Sequence, residues 1–228
     1  MFVGKVKGFK YPDVELVRWF FKSHLNELKD KKVLEFGCHN GNNLSLFASF
    51  DYECLGVELE AKNIENANYN FKELEKYEKC EFFNADIKEF AASQSGIEAD
   101  VFLIPNVINF LTKDEFKSLL ENSRKNRLYR HGGGAFDYSH FFLRARSIKD
   151  HRYGLGKNLK NGSFLLDDDE FSGEKGLICT AYEEWELVEL LQKYLKLYDF
   201  EVLTSENINI KDKIFIKDSD IIVYGKIS

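Results

Sequence analysis

The feature that most constrains this 228-residue chain is a repeated change of hydrophobic period. Short apolar runs that read as buried strands (KKVLEFG at 31–37, DYECLGVELE at 51–60, CEFFNADI at 80–87, ADVFLIPNVINFL at 99–111) are each followed by a segment with helical spacing (LSLFASF, AKNIENANYNFKELEKY, KEFAAS, TKDEFKSLLENSRKN). A fifth strand is expected over GGGAFDYSHF at 132–141, after a glycine turn. Parallel strands need crossover helices, and a helix returning after each strand covers both sheet faces, so the pattern predicts a doubly wound α/β sheet. Ahead of it, Val14, Leu16, Val17, Trp19, Phe20, Phe21, Leu25 and Leu28 mark an N-terminal helix, with Asp13 placed to cap it. Behind it, EEWELVELLQKYLKLY is a strong helix, and DFEVLTS and DIIVYGKIS read as an antiparallel pair closing one sheet edge. Residues 143–180 between these parts show no clear periodicity and are expected to be an insertion, acting as a mobile lid or substrate loop. The whole, 1–228, reads as a single domain carrying that insertion.

Composition narrows the function. Hydrophobic residues at 44% and charged residues at 31% exclude wholesale disorder, and no stretch reaches the ~18 apolar residues of a membrane span. The opening MFVGKVKGFKYPD lacks the apolar run of a signal peptide, so a cytoplasmic location is expected. With 32 basic against 38 acidic residues the net charge is −6, which argues against a general nucleic-acid binder. Cys38, Cys54, Cys80 and Cys179 are scattered without Cys-x-x-Cys spacing, so reduced thiols are expected and no metal is called for. Oligomeric state is not legible.

The chemistry sits at strand ends. Glu35-Phe36-Gly37-Cys38-His39-Asn40-Gly41 joins the first strand to the next helix, where Gly37 permits a tight turn and Gly41 close approach of the helix. Glu35 can anchor a cationic or hydrogen-bond-donating ligand group, with Asn42 and Asn43 as further polar contacts. Glu58 ends the second strand at the separation where a carboxylate accepts from a ribose diol. After the third strand Asp86 can read an exocyclic amine while Ile87 packs on a ring. Each piece alone is common in α/β proteins as a cap or a turn; their order along one sheet edge is what points to a nucleoside ligand.

Read together, these residues resemble a class I S-adenosylmethionine-dependent methyltransferase. Glu35, Gly37 and Gly41 fill three of the four marked positions of that family's acid-x-Gly-x-Gly-x-Gly motif, and His39 stands where the second glycine belongs. The resemblance implies S-adenosylmethionine as cofactor and a Rossmann-like, mostly parallel seven-stranded sheet with an antiparallel last strand. It implies Glu58 on the ribose, Asp86 and Ile87 at the adenine, Cys38 and Asn43 in the cofactor turn, and Asn106, in Pro105-Asn106-Val107, near the transferred methyl. It covers roughly 13–140 and 181–227. A looser likeness, carried by Tyr11-Pro12, Glu15 and Arg18, is to bacterial methyltransferases of glycan and surface-sugar clusters; it implies Arg18 on the cofactor carboxylate and Tyr11 over the methionine end. Equally, Arg18 is a surface charge on an amphipathic helix.

For the acceptor, in-line transfer needs a nucleophile ~3 Å from the methyl carbon, and a hydroxyl nucleophile also calls for a base. His140 is the expected base, against a reading in which it packs among Phe136, Phe141 and Phe142. Asn109 and Tyr138 are expected to position the acceptor. Arg144, Arg146, Lys149, Arg152, Lys157 and Lys160 form a basic run that suits an anionic small molecule, with Arg144 and Arg146 as its contacts; the alternative is a loop balanced by Asp167, Asp168, Asp169 and Glu170. The expected activity is methylation of a small, anionic, sugar- or nucleotide-linked metabolite, oxygen preferred over nitrogen. A nicotinamide enzyme would need glycines where positions 37, 39 and 42 read Gly, His and Asn. A non-catalytic module of the same fold, binding a protein or glycan, and an RNA methyltransferase remain the alternatives.

Overall fold

The computed structural model describes every residue except 1, 2, 133, 135, 136 and 168–170. Phe136, Asp168, Asp169 and Glu170 therefore lie outside the described residues. The strands are β1 (Lys32–Phe36), β2 (Glu53–Glu58), β3 (Cys80–Asn84), β4 (Val101–Pro105), β5 (Ser139–Arg146), β6 (Lys157–Lys160), β7 (Ser163–Leu165), β8 (Ile178–Thr180), β9 (Tyr198–Lys211) and β10 (Ile214–Ile227). The α-helices are α1 (Val14–Lys22), α2 (Leu44–Ala48), α3 (Ala61–Asn68), α4 (Ile87–Ser93), α5 (Lys113–Lys125) and α6 (Glu184–Leu195).

Seven strands form one sheet in the order β3-β2-β1-β4-β5-β10-β9. β1 to β5 are parallel, and β10 runs antiparallel between β5 and β9. β1, β2 and β4 are nearly all apolar because they are buried on both faces. Alternate residues feed two cores. Leu34, Phe36, Val57, Phe102 and Ile104 pack with Phe90, Phe116 and Leu187 on the side of α4, α5 and α6. Val33, Cys54, Val101 and Leu103 pack with Leu16, Trp19, Phe47 and Phe71 on the other. Strand order reverses between β1 and β4, so a crevice opens at their carboxyl ends.

Three expectations change. The fifth strand starts at Ser139, not in the glycine run: Asp137 accepts from the Gly134 N–H at 3.0 Å and turns the chain before the strand begins. The stretch without clear periodicity carries secondary structure of its own. Residues 143–146 belong to β5, and β6, β7 and β8 make a separate antiparallel sheet beyond it. The closing strands also run longer than the apolar pattern predicts, 14 residues each, meeting at Asp212 and Lys213, both with positive φ (50° and 71°). Among the described residues no helix is long and apolar enough to cross a membrane.

Candidate active site

The turn after β1 is built by backbone demands. Gly37 and Cys38 both donate to the Val57 carbonyl, at 2.9 and 3.1 Å, and the Gly41 N–H closes back on the Cys38 carbonyl at 2.8 Å. Gly41 has φ +79°, and a Cβ there would stand 2.5 Å from the Phe71 ring; one on Gly37 (φ +69°) would meet Val107 at 2.8 Å. Cys38 is not open to a ligand. Its thiol is buried against Gly56, and burial pushes its pKa well up.

Beside the turn lies a cavity of about 510 Å³, lined by residues 8–13, Gly37, His39, Asn42, Asn43, Pro105 and Asn106. Its outer wall is the N-terminal segment, tied down by asparagine side chains. Asn40 Nδ2 donates to the carbonyls of Lys7 (2.7 Å) and Phe9 (2.9 Å), and Asn40 Oδ1 accepts from the Phe9 N–H (3.1 Å). Asn70 exchanges bonds with the Lys7 backbone, Asn42 donates to the Tyr11 carbonyl, and Asn43 Oδ1 accepts from the Asp13 N–H at 2.9 Å. The chain thus folds over the turn as a strap held at Lys7, Phe9, Tyr11 and Asp13 through its backbone polar groups. Asp13 caps α1, accepting from the N–H groups of Glu15 and Leu16.

Acceptor groups follow along the sheet edge. Glu35 is fully buried; Oε1 accepts from Asn43 Nδ2 at 2.7 Å, and Oε2 has no partner. Burial, with Glu58 and Asp13 nearby, pushes its pKa up to about 8 against the opposing pull of the Asn43 bond. Glu58 accepts from the His39 N–H (3.0 Å) and the Glu60 N–H (2.9 Å), so its carboxylate is locked to the turn. Asp86 caps α4 through the Lys88 N–H at 2.7 Å, and Ile87 is buried beside it. Asn106 is exposed on the rim with φ +58°, its N–H donating to the Arg144 carbonyl. Tyr11 is 68% exposed on the strap.

The other expected residues are elsewhere. His140 pairs with Val101 at the amino end of β4, so it stands at the sheet edge opposite the turn. Burial and the nearby Lys226 and Lys31 hold its pKa down to about 4. Tyr138 lies against it, ring centroids 5.5 Å apart, and shares that far edge. Both assignments followed from starting the strand too early. Arg18 lies outside the cavity lining and pairs with Glu15 on the exposed face of α1. Arg144 is spent on Asp13 (2.6 Å) and Asp220 (2.7 Å), clamping α1 to β5 and β10. Arg146 is 3% exposed, bonded to both oxygens of Glu174 at 3.0 Å and to Cys179. Asn109 is buried as well; its Oδ1 takes the Arg146 N–H at 2.7 Å, tying the loop after β4 to β5. Asp150, His151 and Asp218 come together nearby, with the Arg152 guanidinium bonded to both acids. Arg144, Arg146 and Asn109 thus hold the frame rather than an acceptor.

What sequence reasoning missed is the strap and the roles of Phe9, Asn40 and Asn70 in fixing it. The only signal was a run of amides, Asn40, Asn42 and Asn43, where one polar contact would serve a turn.

Residues 33–133 match the family of methyltransferase domains. No curated protein matches the sequence. Among solved structures, a SAM-dependent methyltransferase from Methanosarcina mazei superposes with a TM-score of 0.63 at 20% identity, over 90% of this chain and 96% of that one. The N-terminal domain of EvdMO1 with SAH bound gives 0.63 at 16%, over 95% and 83%. Magnesium protoporphyrin IX methyltransferase from Synechocystis PCC 6803 with bound SAM gives 0.55 at 12%, over 92% and 76%. At these identities the likeness is one of fold.

Proposed function

We propose that this chain, whose residues 33–133 match the family of methyltransferase domains, is an S-adenosylmethionine-dependent methyltransferase and acts on a small metabolite admitted between the strap and the rim at Asn106. The observation that carries this is the succession of acceptor carboxylates, Glu35, Glu58 and Asp86, along the edge that also holds the Gly37–Gly41 turn. S-Adenosylmethionine presents donors in that order, an ammonium, a ribose diol and an adenine amine, and when bound it supplies an electrophilic methyl group. Glu58 is already oriented by two backbone N–H groups and keeps lone pairs for the diol. Glu35, kept protonated by burial in the ligand-free protein, offers the unpartnered Oε2 toward the amino-acid end, where the ammonium of the ligand would favour its ionised form, and Asp86 with Ile87 frames the base. The strap walls the cavity beside the turn, and Asn106 and Tyr11 flank the way in.

Oxygen is the preferred acceptor atom, in a sugar- or nucleotide-linked compound, because the half-buried amide of Asn42 and the exposed amide of Asn106 in the cavity wall suit hydroxyl groups. The anionic character of the acceptor rests on Lys10 in the wall, the arginines of the basic run being neutralised by their own partners. Calorimetric titration with S-adenosylmethionine, S-adenosylhomocysteine and NAD tests the reading. Binding of the first two alone supports it; failure of all three to bind folded protein favours a non-catalytic module. Glu58→Ala should abolish most of the cofactor affinity with the fold retained, and unchanged affinity removes the ribose assignment.

A further inference from the structure

His39 occupies the place where the resemblance calls for a glycine, and its surroundings give the imidazole a defined task. Its φ is +48° and its N–H is held by Glu58 Oε2, so the residue is joined directly to the carboxylate expected at the ribose. The ring lies 4.4 Å from the Phe9 ring, centroid to centroid, tilted by 33°, in the wall of the cavity. Its Nδ1 is 2.8 Å from Asn40 Oδ1.

The orientation of Asn40 decides the tautomer. Its Nδ2 gives its two hydrogens to the Lys7 and Phe9 carbonyls, and its Oδ1 takes the Phe9 N–H. Flipping that amide would set donor against donor and acceptor against acceptor at all three contacts. The atom facing His39 is therefore an oxygen, which only accepts, so Nδ1 carries the proton. In the neutral imidazole Nε2 is then a bare acceptor, and among the described residues nothing is bonded to it.

We propose that His39 is a cofactor-binding residue, held by Asn40 and Phe9 as the Nδ1–H tautomer so that Nε2 accepts a hydrogen bond from a ribose hydroxyl next to Glu58. This rests on the methyltransferase reading above and goes beyond it. A glycine at this position offers no side-chain acceptor; here the strap and the turn together supply a second one, and the strap is coupled to the ligand through a single ring.

The test is calorimetric titration of S-adenosylhomocysteine, and of its 2′-deoxy and 3′-deoxy analogues, into wild-type protein, His39→Phe and Phe9→Ala. His39→Phe keeps a ring for Phe9 and removes the acceptor. It is expected to weaken S-adenosylhomocysteine about fivefold, the worth of one ordinary hydrogen bond. The difference from wild type should vanish for one of the two deoxy analogues. Full affinity in His39→Phe, or the same loss against all three ligands, overturns the proposal. Absence of wild-type binding overturns the cofactor reading and this inference together, whereas wild-type binding with an indifferent His39→Phe overturns this inference alone. Nitrogen-15 shifts of His39 in unsubstituted, ligand-free protein give an independent check: a protonated Nδ1 and bare Nε2 are expected, and the opposite tautomer refutes the assignment even if a variant fails to fold.

Discussion

Glu35→Gln is the perturbation whose size follows most directly from the site. The carboxyl is fully buried beneath the turn, one oxygen is served by Asn43, and its pKa stands near 8 against an ordinary 4.5. At pH below 4.5 folded and unfolded chains both carry this proton, and the group exacts no electrostatic penalty. Between pH 4.5 and 8 the unfolded chain has released it and the folded chain keeps it, so stability falls by about 1.4 kcal/mol per pH unit. Above pH 8 the folded chain ionises too, and the loss levels off at about 5 kcal/mol. Glutamine has the shape of the protonated acid, retains an oxygen for Asn43 Nδ2 and does not titrate. Urea unfolding of ligand-free protein, followed by tryptophan fluorescence at pH 5, 6.5 and 8.5, should therefore show the variant gaining on wild type as pH rises. The advantage should be small at pH 5 and reach several kcal/mol at pH 8.5. Parallel pH dependences for the two proteins would refute the claim that Glu35 is held neutral by its burial.

Other expectations concern the frame and the far edge. Gly41→Ala should cost about 2–5 kcal/mol, combining a left-handed backbone with overpacking against Phe71, and should weaken cofactor binding; a melting temperature within a degree of wild type would contradict it. Arg146→Met removes the two bonds of Arg146 to Glu174 and leaves that carboxylate to Arg152 alone; it should cost about 1.5–3 kcal/mol in denaturant unfolding, a change absent if Arg146 served only an acceptor. His140→Ala should leave cofactor affinity and turnover at wild-type level, and a selective loss of kcat would return the residue to the active site.

The sheet was legible because β1, β2 and β4 are continuous apolar runs punctuated by turn residues, a pattern that buried parallel strands impose. The acidic strand ends were legible for a related reason: Glu35, Glu58 and Asp86 interrupt or end those runs where hydrophobic burial would not choose a carboxylate. His140 was misplaced because FDYSHF alternates aromatic and polar residues as a strand can, while the side chain of Asp137, a local turn device, decides where β5 begins. Arg144 and Arg146 look like free cations along the chain; their partners Asp13, Asp220 and Glu174 come from distant segments, and no local spacing announces such pairs. The strap was invisible for the same reason. Its bonds from Asn40 and Asn70 to Lys7 join residues 33 and 63 positions apart.

The position of β10 has a consequence for how the molecule comes into being. Because β10 lies between β5 and β9, the sheet gains its sixth strand in space only after residue 227 has been synthesised. A nascent chain that has emerged through β9 has two separated edges to shield, β5 with its apolar Phe141, Phe142 and Leu143, and β9 without a neighbour. During translation the protein is thus a half-closed sheet waiting for its last strand, and premature termination even a few residues into β10 leaves that gap open to other strands in the cell.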